Sequence, residues 1–246
     1  MTALFASEML KLRSTRTPWV LLAATVALSG LAVASAVAVA GVTDLDLESV
    51  SGGRAILGVS ATGAIFVLVF GIILTAGEFR HGTAIDTFLT TPRRSMVTLA
   101  KVGTAAATGV VFGLLASAAS LGSALVAYQA RGLTFPFGSS DAWQALGAGV
   151  IYATLFAAMG AATGSLVRNQ VVAIAGWLSW IAIVEHVAQG LLPSVGRWLP
   201  VGAGRGLMGG ADAEALLDPL PAAVVLAGYA LTIMVVAVVA ERHRDA

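Results

Sequence analysis

Cysteine is absent from the 246-residue chain, which excludes disulfides, thiolate metal sites and cysteine nucleophiles. Charge is scarce: 11% of the residues are Asp, Glu, Lys or Arg, against about 25% in a soluble globular domain. The three histidines, His81, His186 and His243, have no spacing that would gather them around a metal. No G-x-x-x-x-G-K-[ST] loop is present, so the chain lacks a nucleotide-binding loop of its own. A net charge of +1 says little about partners, and no nucleic acid is expected among them.

What is abundant is apolar. Such residues make up 58% of the chain and the mean hydropathy is strongly positive. The wealth of Ala, Gly and Val, with Arg favoured over Lys, suggests a GC-rich bacterial genome. Six stretches are long and apolar enough to cross a bilayer: 19–41, 57–77, 102–128, 143–166, 171–192 and 220–240. A helix of the length of 57–77, at ~1.5 Å per residue, reaches across ~30 Å of hydrocarbon. The expectation is an all-α integral membrane protein of one transmembrane domain, with the lipid bilayer as its solvent. Gly109-x-x-x-Gly113 and Gly160-x-x-x-Gly164 would allow close helix approach, although in a chain with 28 glycines such spacings arise easily.

Residues 1–16 precede the first span. Leu4, Phe5, Met9 and Leu12 fall on one helical arc, interrupted by Glu8. Such a helix would lie flat on the inner leaflet with Lys11, Arg13 and Arg16 toward the headgroups. Ala32-Val33-Ala34 resembles a signal cleavage site, but the uncharged run before it is too long for an h-region, so an uncleaved anchor is expected.

The densest group of ionisable residues is an island between the second and third spans, Gly77 to Lys101. No charged residue occurs from Ala55 to Gly77 or from Val102 to Ala130. The island must be a loop at a membrane face, read as two short amphipathic helices broken at Pro92. Segment 193–219 is too apolar for a solvated loop and too broken by Pro193, Pro200 and glycines for a span. Short helices in or dipping into the outer interface fit it. Six spans put both termini on one side. The inner segments would hold Lys11, Arg13, Arg16, Arg80, Arg93, Arg94, Lys101, Arg168, Arg242 and Arg244, and the outer ones only Arg54, Arg131, Arg197 and Arg205. That bias places both ends and the island in the cytoplasm.

Glu78, Phe79, Arg80, Gly82 and Thr83 at the foot of the second span, then Thr90 or Thr91, Pro92, Arg93 or Arg94, and Lys101 opening the third, resemble the permease subunits of ABC-2 type transporters. The six-span layout and the broken helices before the last span extend that resemblance over the chain. It implies the ABCG-like exporter fold, with residues 1–16 as the connecting helix and 78–101 as the element that docks on a separate cytosolic ABC ATPase. ATP and Mg would then sit on that partner, and this chain would carry no cofactor and no catalysis. The docking residues would be Glu78, Phe79, Arg80, His81, Gly82, Thr83, Phe88, Thr90, Thr91, Pro92, Arg93, Arg94 and Lys101. Phe79 and Phe88 would seat in an apolar groove, with Arg80, Arg93 and Arg94 pairing around it and Glu78 tied back to Arg13 or Arg16. The resemblance further implies a homo- or heterodimer in a bacterial inner membrane, exporting a hydrophobic or amphipathic compound. Phe66, Phe70, Trp177, Trp180 and Glu185 would then be candidates for the substrate path.

Other chemistry finds less support in the sequence. Coupling to an ion gradient calls for ionisable residues in several spans, and only Glu185 with His186 qualifies. Glu185 would sit near the outer boundary, snorkelling or paired with Arg197. Gly58-x-Ser60 with His186 lacks the G-x-S-x-G elbow of a serine hydrolase. The competing class is a channel, secondary transporter or assembly factor that uses no ATPase. The absence of cysteine makes the topology directly testable: a single cysteine at Asp218 should react with an impermeant maleimide in intact spheroplasts, and one at His81 only after permeabilisation. The opposite pattern would invert the chain in the membrane.

Overall fold

A computed structural model describes residues 2–40, 46–83, 94–137, 140–209 and 215–244. The described residues form helices and connecting turns, with no strand among them. Helix α1 covers Thr2–Ser14 and α2 covers Thr17–Val39. The second membrane element has two pieces, α3 (Val50–Gly58) and α4 (Ala64–His81), joined by a 3₁₀ stretch, Val59–Gly63. Helices α5 (Arg94–Ala130) and α6 (Ser140–Val167) follow. The fifth element runs as α7 (Gln170–Ser179), a π-helical turn Trp180–Glu185, and α8 (His186–Leu191). Two short helices, α9 (Pro193–Gly196) and α10 (Pro200–Met208), precede α11 (Pro219–Arg244). Six of these elements are long and apolar enough to cross a membrane.

Local chemistry accounts for most of the boundaries. Pro18 lies in the first turn of α2, where its missing N–H costs nothing. Ser49 caps α3 by accepting from the Gly52 N–H at 3.0 Å, and Asn169 caps α7 by accepting from Val172 at 3.1 Å. Helix α4 stops at Gly82, whose φ of 72° is left-handed, while Thr83 N–H returns to the Glu78 carbonyl at 3.0 Å. The second and third spans are longer than the hydropathy implied. Charged side chains that ended each apolar run, Arg54 in α3 and Lys101 in α5, lie inside helices because each finds a partner within the protein.

The bundle is held by small residues. A Cβ on Gly160 would sit 2.1 Å from the Leu68 carbonyl oxygen, and one on Gly71 would sit 2.3 Å from that of Ala157, so α4 and α6 touch backbone to backbone. Thr75 Oγ1 donates across this contact to the Ala161 carbonyl at 2.9 Å. Gly164 meets Thr75 on the same seam, and Gly109 and Gly113 of α5 meet Thr154 and Val150 of α6. Both spacings found in the sequence are therefore real approach sites, as expected where association rests on close packing. Helix α6 is the central post: α4 lies on one side and α5 on another, and Tyr152, Phe156 and Met159 enter the largest buried apolar cluster.

At one end of the bundle, α10 folds back into it, while α9 is exposed from Pro193 to Val195. Pro200 opens α10, Gly204 lies under the Tyr152 ring, and Arg54 Nε donates to the Met208 carbonyl at 3.4 Å, closing its far end. Backbone at this depth is tolerated because protein covers it. Gly160→Leu should therefore cost about 1–3 kcal/mol or more by overpacking, read as a lowered thermal midpoint in detergent, whereas Gly122→Leu, with nothing within 4 Å of its Cβ position, should leave it unchanged.

Candidate functional site

The foot of α4 is where the sequence placed the docking motif, and there the structure gathers most of its buried charge. Glu8, in α1, is 2% exposed. Its two oxygens are divided between Lys101 Nζ at 2.8 Å and Lys11 Nζ at 2.7 Å. Glu78 Oε1 accepts from the same two ammonium groups, Lys101 at 2.7 Å and Lys11 at 2.8 Å. The four charges alternate and cancel. Lys11 and Lys101 are the only lysines in the sequence, and a compact ammonium with three donors can bridge two carboxylates. Burial pulls the Lys11 ammonium down, but the hydrogen bonds and charges of Glu78 and Glu8 outweigh it and hold it above its ordinary value.

The position of Glu8 corrects the reading of α1. On the sequence it interrupted an apolar arc facing lipid. In the structure it faces α5, while the half-buried Leu12 joins an apolar cluster with Phe70. Glu78 pairs with Lys11 and Lys101, and not with Arg13 or Arg16, which are exposed. The spacing of Glu8 and Lys11, three residues apart on one helix face, was the available signal.

The next residue forms a second knot. The Arg168 guanidinium lies 4.9 Å from the centre of the Phe79 ring and pairs with Glu241 near the end of α11. Its Nε donates to Glu241 Oε1 at 3.3 Å and its Nη2 to Oε2. Arg168 has a φ of 55°, a left-handed backbone unusual for a non-glycine residue, and it sits in the turn between α6 and α7. Phe79, half-buried, is thus engaged within this chain, not offered as a free anchor. Neither Glu241 nor the role of Arg168 was found from sequence; an acid in the last turns of an otherwise apolar span was the only hint.

Of the remaining docking residues, Arg80, His81, Gly82 and Thr83 are exposed at the end of α4. Arg94 begins α5. Phe88, Thr90, Thr91, Pro92, Arg93 and the side chain of Arg94 lie outside the described residues, as does the break at Pro92. Both terminal helices meet this face, α1 through Glu8 and Lys11 and α11 through Glu241. Beside it lies a cavity of about 510 Å³ bordered by Leu12, Pro18, Ile73, Glu78 and His81.

The candidate path residues are scattered. Phe70 is buried with its ring 5.1 Å from that of Phe112, and Phe66 is half-buried. Trp177 donates from its indole to Thr163 Oγ1 at 3.1 Å, and Trp180 is exposed beside it. Glu185 is not paired with Arg197; its Oε2 accepts the Val201 N–H at 2.7 Å, in the first turn of α10. Among the described residues no group of three or more acidic or histidine side chains is placed to hold a metal. Compared with family models, curated proteins and solved structures, the chain finds no match.

Lys101 is the test of the first knot. Lys101→Met takes away an ammonium shared by Glu8 and Glu78 and should cost on the order of 3 kcal/mol, seen as loss of folded protein in detergent. Adding Glu8→Gln, which removes the stranded charge, should recover most of that loss. Simple additivity of the two substitutions would mean that they do not act through one another.

Proposed function

We propose that this chain is the permease subunit of an ABC-2 type transporter, exporting a hydrophobic or amphipathic compound and driven by separate cytosolic ATPase subunits. The observation that carries the reading is the double clamp at Glu78 and Phe79. A lever without an engine needs a grip that moves as one piece with the spans it drives. Here the residues at the end of α4 bind α1, α5 and the α6–α7 turn, and Arg168 of that turn holds α11. A push on this face would reach the second, third and last spans with little slack, because buried ion pairs hold the helices they join in one register.

In this reading the face is cytoplasmic, in line with the excess of Arg and Lys assigned to it. Both chain ends are cytoplasmic and the membrane is a bacterial inner membrane. The exposed Arg80 and His81, with the segment that follows them, supply the contact to the ATPase. ATP and Mg are bound by that partner, and a second permease copy completes the pathway. Electrostatic complementarity at such a rim sets specificity more than raw affinity.

Tagged chain should bring down a soluble subunit of ~25–35 kDa carrying a Walker motif, and Arg93→Glu with Arg94→Glu should abolish that capture while leaving insertion unchanged. Glu78→Gln should keep the partner but break the link between ATP hydrolysis and export. Recovery of active transport from this chain alone in vesicles with only an ion gradient would overturn the proposal.

A further inference from the structure

The fifth membrane element ends at Leu191, where the chain turns through Leu192 into α9. Leu191, Leu192, Val195 and Trp198 are all exposed, so the apolar surface of the span runs on past its end. A contiguous apolar run in a connecting segment marks a surface that something covers. This one adjoins the end of a helix long and apolar enough to cross a membrane, which makes lipid its neighbour. Backbone groups at the corner are answered within it. Leu192 N–H donates to the Ala188 carbonyl at 2.9 Å, Arg197 N–H to that of Pro193 at 3.2 Å, and Trp198 N–H to that of Val195 at 3.0 Å. Irregular chain can then sit at the membrane boundary without stranding polar groups.

The corner is also fixed in place. A Cβ on Gly196 would lie 2.7 Å from Gln189 Cα, and one on Gly202 would lie 2.0 Å from the Gly196 carbonyl oxygen, so α8, α9 and α10 meet backbone to backbone. Arg197 follows Gly196 directly, and its position is set by that contact.

Arg197 is the unanswered charge of this corner. Its side chain is half-buried, and of the three guanidinium nitrogens only Nε is closed off from the surface. The terminal Nη1 and Nη2 stay open, and among the described residues no hydrogen bond or ion pair engages them. The Trp198 ring centre lies 6.0 Å from the guanidinium carbon, at the outer limit of a cation–π contact. No acid occurs in the sequence between Glu185 and Asp212. Glu185 accepts from the Val201 N–H instead, and the other arginine of the segment, Arg205, donates to Gln189.

We propose that this corner binds a phospholipid: Nη1 and Nη2 of Arg197 donate to its phosphodiester, the Trp198 indole lies at headgroup level, and the acyl chains run along Leu191, Leu192 and Val195. The planar donor fork of a guanidinium matches phosphate oxygens, and Trp and Arg are residues that settle where hydrocarbon gives way to headgroups. An anionic headgroup is preferred, since a zwitterionic one brings its own ammonium to compete for the phosphate. The inference needs the chain to be in a bilayer and does not depend on the permease reading.

The test places the full chain in phosphatidylcholine vesicles that carry a small, equal share of acyl-brominated phosphatidylglycerol or acyl-brominated phosphatidylcholine. Bromine quenches tryptophan on contact, and the part owed to Trp198 is the difference between each chain and the same chain with Trp198→Phe. Phosphatidylglycerol should occupy the corner of the native chain about fivefold more readily than phosphatidylcholine, the weight of one arginine at a membrane surface. Arg197→Gln should bring that ratio to one, and Arg197→Lys should keep part of it. Ser194 is exposed one turn before Arg197, so Ser194→Glu hands the guanidinium a carboxylate and should erase the preference with Arg197 still present. That variant decides the matter should Arg197→Gln not insert. Equal quenching by the two lipids in the native chain, or an unchanged ratio in Arg197→Gln or Ser194→Glu, would overturn the proposal. Inorganic phosphate should displace no more lipid than chloride does at equal ionic strength; greater displacement would mean that the corner takes a free phosphate ion, and would overturn the assignment to lipid.

Discussion

A charge taken out of water must find its opposite, and at the foot of the second membrane element that requirement fixes five segments of the chain at once. Glu78 and Phe79 are consecutive on a helix, so their side chains leave it about 100° apart and meet different neighbours. Glu78 turns to the lysines of α1 and α5. Phe79 turns to the arginine between α6 and α7, which itself holds the end of α11. Shifting α4 by one residue would exchange these partners and strand charges on both sides.

Buried ion pairs are poor sources of net stability, since apolar residues of similar volume often do as well. Their worth here lies in position. The helix seams of this bundle are made from glycine and alanine, and such seams have little to stop one helix sliding along another. The alternating Glu8, Lys11, Glu78 and Lys101 cluster supplies depth and register that Gly71, Gly160 and Gly164 alone do not. An amphipathic helix that would otherwise float on a leaflet becomes part of the bundle for the same reason.

The opposite end of the molecule solves a different problem. Short helix α10 brings backbone N–H and carbonyl groups into the buried interior, where each must be answered. Glu185 answers the start of α10 and Arg54 its end. Tyr128 and Arg131 similarly reach the carbonyls of Leu47 and Ala38 beyond the end of α5. Side chains that looked like loop charges are caps.

Six helices long and apolar enough to cross a membrane, and the break after Leu192, were legible from residue order. Hydrocarbon thickness and backbone hydrogen bonding act on about 20 contiguous residues, and Gly82 and Pro200 mark helix ends by their own geometry. The pairing of charges was not legible. Glu8 lies 93 residues from Lys101, and Lys11 lies 67 from Glu78, and nothing local tells a carboxylate which helix will arrive at its depth. Arg13 and Arg16 were equally good candidates until α1 was seen to turn Glu8 inward. The sequence by itself determined which segments belong in lipid, because that depends only on what each segment is made of. Tertiary structure alone decided which charges are joined, because a buried charge takes its partner from packing.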